Sequence, residues 1–184
     1  MRYSSIKSHL RPYSILARRK TTITHAFAAA VASYDIYDDE KLRDAIRDLG
    51  QNPDSDLECV YCGNPAETWD HVTGIVRNRR FSGHGHTVGN LLPCCKPCNS
   101  KKGNKNWKDY LYFLFSDENI RAHKIKIMER YLQKHSTDAL NSEDTEDNKQ
   151  LNAHLDQILE LMRKADEIAG RIRERKKNAN KIGS

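Results

Sequence analysis

The sequence predicts an α+β protein, mainly helical, with a small cysteine-bracketed centre and a C-terminal helix of coiled-coil-like spacing. Three observations carry that prediction. Apolar residues recur at helical intervals on both sides of the centre. Two Cys-x-x-Cys pairs enclose a stretch rich in Gly and His that holds two short β-like runs. The C-terminal region follows an alternating four- and three-residue apolar repeat.

Residues 1–20 are basic and read as irregular, with Pro12 interrupting any early helix. The Ala-rich stretch 21–34 is expected to be a buried helix, with Thr22 or Thr24 capping its start. A second helix is expected over 38–49, where Leu42, Ile46 and Leu49 share a face and Gly50 ends the run. Residues 51–56 read as a loop. Strands are expected at 68–72 and 88–92. Trp107, Tyr110, Leu111 and Leu114 then share one helical face, and residues 118–134 continue helical. An acidic linker follows at 135–149. Beyond it Leu151, Leu155, Ile158, Met162, Ala165, Ala169 and Ile172 form a seam, with a fraying basic tail at 171–177. The chain thus divides into a basic, helical N-terminal region at 1–56, a centre at 57–116 and a helical extension at 117–184.

The formal net charge of +6 is unevenly laid out. Residues 1–33 carry six Lys or Arg and no acid, residues 35–58 nine acids against three bases, and residues 59–110 eight bases against three acids. Two basic faces separated by an acidic one suit a polyanionic partner. No run of about 18 apolar residues occurs, so no membrane span is expected. The apolar stretch 26–32 is too short, and too poorly followed, for a secretion signal.

Five cysteines without such a signal argue for a reducing cytoplasm and thiolate-bound metal over disulfides. Cys59 and Cys62 are separated from Cys95 and Cys98 by 32 residues. Two thiolates on each of two turns complete a closed tetrahedral zinc site. With no open coordination position, that zinc is structural, supplying folding free energy to a segment with little apolar core. Cys94 offers a second register, Cys94-x-x-x-Cys98, that fits the spacing less well.

Between and after the pairs lie Trp69-Asp70-His71-Val72, then His86-Thr87-Val88-Gly89-Asn90-Leu91-Leu92-Pro93, then Cys98-Asn99-Ser100-Lys101-Lys102-Gly103-Asn104. In order, spacing and residue type these resemble the HNH, or ββα-metal, nuclease family. Its common form runs Asp-His, a variable loop, Asn-Leu-x-x-x-Cys-x-x-Cys, then Asn or His, with Lys close behind. The resemblance covers a quarter of the chain, and the flanks 1–56 and 107–184 resemble no family. It implies a ββα-metal motif at the centre, with His71 as general base and Asp70 and Asn99 holding one divalent ion, Mg2+ or Mn2+. It further implies that Asn90 fixes the imidazole through a hydrogen bond or the local loop, and that Lys101 and Lys102 meet phosphate or stabilise its charge. The loop residues Arg77, Arg79, Arg80 and His86 are expected to touch DNA.

The resemblance therefore implies a metal-dependent endonuclease on double-stranded DNA, bacterial or phage-encoded and cytoplasmic, in the manner of a small restriction enzyme. A homodimer through the C-terminal or N-terminal helices would pair two cuts at a palindromic site. Phage or homing nicking endonucleases share the motif. A non-catalytic zinc-ribbon DNA-binding protein needs the cysteines but not Asp70, His71 and Asn99 together. A small antitoxin or regulator has no residue in its favour.

Overall fold

The computed structural model describes residues 2–137 and 145–182. Helix and sheet are mixed: among the described residues lie six α-helices and two small antiparallel two-stranded sheets. In chain order they are α1 (Ile15–Val31), α2 (Asp39–Asp48), β1 (Thr68–His71), β2 (Val76–Arg77), β3 (Arg80–Phe81), β4 (Leu91–Cys94), α3 (Lys96–Lys102), α4 (Trp107–Leu114), α5 (Glu118–His135) and α6 (Glu146–Ile182). Contacts gather them into two compact units, Ala28–Ser142 and the terminal stretches Met1–Phe27 with Glu143–Ser184.

In the larger unit, α2 starts where its sequence says it should. Asp38 accepts from the Lys41 N–H, and Asp39 and Glu40 sit in the positively polarised first turn. Its apolar face buries Ala45 and Leu49 in the core, so residues outside the cysteine-bracketed centre help to close it. Tyr61, Leu92, Trp107, Tyr110, Leu111, Met128 and Tyr131 fill the rest of that core. The Tyr131 hydroxyl bonds the Val88 and Leu91 carbonyls, tying α5 to the start of β4. His135 and Lys134 at the end of α5 both reach Asp48 of α2, at 2.7 and 2.8 Å.

β1 pairs with β4 so that Asp70 lies opposite Leu92 and His71 opposite Leu91. The expected second strand is displaced. Residues 88–90 form a 3-10 turn, and the strand begins at Leu91. The cause is side-chain bonding at both ends of the turn: Asp35 accepts from the Val88 N–H, and the Asn90 amide holds neighbouring loops. A further hairpin, β2–β3, turns at Asn78 and Arg79, both at positive φ. Such a pair of left-handed residues makes the tight turn whose twist suits a two-residue hairpin.

In the terminal unit, α1 begins at Ile15, six residues before the expected start. Neither Thr22 nor Thr24 caps it. Asp166 of α6 accepts from the Ile15 and Leu16 N–H groups and from the Ser14 hydroxyl, at 2.7, 3.0 and 2.8 Å. That carboxylate satisfies the unpaired amides of the first turn, and those hydrogen bonds hold its pKa below the usual carboxylate range. Residues 3–8 form a 3-10 helix where irregular chain was expected. The expected seam on α6 is buried at Leu155 and half-buried at Leu151, Ile158, Met162, Ala165 and Ala169, while Ile172 is exposed. Residues 171–177 stay helical instead of fraying. Of the expected linker, His135 belongs to α5, Glu146–Lys149 belong to α6, and 138–144 lie outside the described residues.

Candidate active site and metal centre

The cysteine pairs meet because β1–β4 pairing lays the second pair beside the first. Thr68 faces Cys94, and the Val60 N–H donates to the Pro93 carbonyl at 3.1 Å. The Sγ atoms of Cys59, Cys62, Cys95 and Cys98 all lie within 4.8 Å of one another, and Cys62 and Cys95 approach to 3.6 Å. Zn–S bonds of about 2.3 Å in a tetrahedron put neighbouring sulfurs about 3.8 Å apart, so the donor set fits zinc. Cys94 is outside the cluster and backs it. Its thiol lies 3.8 Å from the Cys59 sulfur and holds that thiol well below its usual range. Burial pushes the Cys62 and Cys98 thiols the other way. Four crowded sulfurs of that kind become thiolates together only around a cation.

Two residues along β1, alternation splits the Asp-His pair: Asp70 faces inward and is 4 % exposed, whereas His71 is half-buried. Asp70 Oδ2 accepts from the Tyr61 hydroxyl at 2.7 Å. The Lys102 ammonium, 1 % exposed, lies 3.2 Å from Asp70 Oδ1 and 3.0 Å from Oδ2. Burial raises the Asp70 carboxyl, and Lys102 and Tyr61 work against that shift. Burial and the Asp70 charge raise the Tyr61 hydroxyl far enough to keep it a donor. Lys102, expected at phosphate, is in this structure buried against Asp70. Its position on α3 follows from packing, since α3 lies against β1 and Lys102 is on its inner face.

His71 Nε2 lies 3.0 Å from His86 Nδ1, with the rings edge-on. His86 reaches that position because the 83–86 loop runs against the segment after α1. Its N–H donates to the Ser33 carbonyl at 2.7 Å. A Cβ on Gly85 would stand 2.0 Å from the Ser33 oxygen, so only glycine fits there. Asn90 bonds the local loops. Its amide accepts from the Thr73 N–H and donates to the Thr73 and Gly85 carbonyls at 2.8, 3.0 and 2.9 Å. It therefore clamps the two loops that deliver His71 and His86. Asn99 on α3 donates from its amide to the Trp69 carbonyl at 3.4 Å, which places it against β1 beside Asp70.

Arg77 and Arg79 are exposed at the β2–β3 hairpin, with Arg80 half-buried beside them. Lys101 is exposed on α3. Sequence reasoning missed Tyr61, the buried state of Lys102 and the His71–His86 contact. Each depends on a pairing across 9 to 32 positions that no local pattern encodes. No helix among the described residues is long and apolar enough to cross a membrane. Compared with known proteins, the chain matches no family model, no curated protein and no solved structure.

Proposed function

We propose that this protein is a metal-dependent endonuclease of the HNH type that hydrolyses phosphodiester bonds of double-stranded DNA. The observation that carries the reading is the packing of α3 on β1. It brings Asn99 and Lys102 of α3 to the strand that carries Asp70 and His71, with Asn90 bracing the loops that follow.

His71 is the general base: a neutral imidazole takes the proton of the attacking water near physiological pH, and the ring is held with Nε2 3.0 Å from His86 Nδ1. The hard oxygen donors Asp70 and Asn99 are those that Mg2+ or Mn2+ prefers. Held there, such an ion supplies positive charge for the phosphate as negative charge develops. Arg77, Arg79 and Lys101 lie where exposed cations can bind the phosphate backbone and fix the duplex. Zinc at the four cysteines is structural.

One observation favours a second reading, a non-catalytic zinc-ribbon DNA-binding protein: both Asp70 oxygens already have partners. Incubation with supercoiled plasmid and Mg2+ or Mn2+ separates the two. The nuclease reading expects nicked or linear product that EDTA abolishes. Binding without cleavage, across metals and DNA substrates, leaves the second reading in its place.

A further inference from the structure

The Lys102 ammonium has more oxygen neighbours than hydrogens to donate. Besides the two Asp70 oxygens at 3.2 and 3.0 Å, it lies 2.8 Å from the His71 carbonyl and 3.3 Å from the Gly103 carbonyl. Gly103 has a φ of +50°, the left-handed region that favours glycine, where α3 ends and the chain turns back. One carboxylate and two carbonyls converging on a point charge are the donor chemistry of a hard-cation site. Here a side chain of the same protein fills it.

We propose that Lys102 is the built-in occupant of the catalytic cation position, and that a divalent ion binds Asp70 only by displacing its ammonium. This rests on the nuclease reading above and adds the way its metal site is regulated. Asp70 has two oxygens, and Lys102 lies within hydrogen-bond distance of both. A divalent ion bonded to either would lie within a few ångströms of the ammonium in a buried, weakly screened setting, where like charges repel strongly. The two cations therefore compete. The exchange serves both states. Without metal, Lys102 neutralises a carboxylate that burial would otherwise leave uncompensated. With metal, the released ammonium, on the last turn of α3 beside exposed Lys101, is free to meet the substrate phosphate. Metal occupancy and phosphate binding by Lys102 are thereby linked, so each favours the other.

The test uses zinc-loaded full-length protein, with Mg2+ as the probe for nuclear magnetic resonance and Mn2+ for electron paramagnetic resonance. In wild type labelled with 15N-lysine, the Lys102 ammonium resonance, assigned by its loss in Lys102→Met, shifts as diamagnetic Mg2+ saturates the site. Mn2+ affinity, read by electron paramagnetic resonance, rises by about tenfold in Lys102→Met. Asp70→Asn/Lys102→Met, which removes both charges together, folds and loses the site. An unmoved Lys102 resonance at metal saturation overturns the proposal. So does equal or weaker Mn2+ affinity in folded Lys102→Met. If Lys102→Met does not fold, the resonance is assigned by selective mutation of the other lysines and the wild-type titration decides. Either contrary result leaves the nuclease reading standing wherever wild type still cleaves DNA, because cleavage is measured separately.

Discussion

In the proposed reaction, His71 is the base and His86 is the neighbouring ring that holds its orientation. Within that proposal, the 3.0 Å contact between the rings gives His86 a positioning role. Replacing His86 by Ala is therefore expected to lower the cleavage rate on the order of 10- to 100-fold. DNA affinity stays unchanged, as read by single-turnover kinetics beside a binding titration; a loss confined to affinity would return His86 to the DNA surface. Asn90→Ala deletes three hydrogen bonds, two of them part-buried at Thr73 and one to the buried Gly85 carbonyl. It should cost about 3 kcal/mol in urea denaturation, at the upper end of what unsatisfied buried groups cost. At this scale the sequence was half legible. The Asp-His pair, Asn90 and Asn99 stand at telling spacings, so the residues could be named. Their partners could not. Whether Lys102 points to solvent or to Asp70 depends on how α3 lies on β1, and that angle is written in no local motif.

Among the elements, β1, β4 and α3 are short, and the cysteine cluster ties the 59–62 turn to the start of α3. One zinc per chain is expected by elemental analysis. Removing it with a chelator should unfold the Ala28–Ser142 unit, visible as loss of helical circular dichroism, since metal-binding free energy here is folding free energy. The β2–β3 hairpin makes a different prediction. Arg77→Ala and Arg79→Ala should each weaken DNA binding across sequences and reduce its salt slope by about one. An unchanged slope would mean that the hairpin does not meet phosphate. Helices α2, α4 and α5 were legible because their apolar periodicity and caps are local. The start of α1 was not, because its cap, Asp166, lies 150 positions away. The second strand was misplaced by three residues for a similar reason: Asp35 and Asn90 hold the preceding segment as a turn.

For the molecule as a whole, acid should weaken the larger unit partly through Asp48. Hydrogen bonds from Lys134 and then His135 hold its carboxyl below the ordinary value of 3.8. A depressed carboxylate stabilises the fold above its unfolded pKa, and that contribution is lost as pH falls through the lower folded value. Asp48→Asn should therefore be less stable than wild type near neutrality, with the gap closing below pH 3.8. The comparison is made between two zinc-loaded proteins at each pH, so that acid release of zinc affects both alike. The division into two units also locates the proposed chemistry: every residue assigned to it, from Cys59 to Lys102, lies in Ala28–Ser142. The central claim is that His71 performs base catalysis there. It is tested most directly by single-turnover cleavage of supercoiled DNA in Mg2+, comparing wild type with His71→Ala at matched zinc content and DNA occupancy. The proposed mechanism predicts cleavage by wild type and a fall of about 10²- to 10⁴-fold in the variant; equal rates in the two, or no cleavage by either, would contradict it.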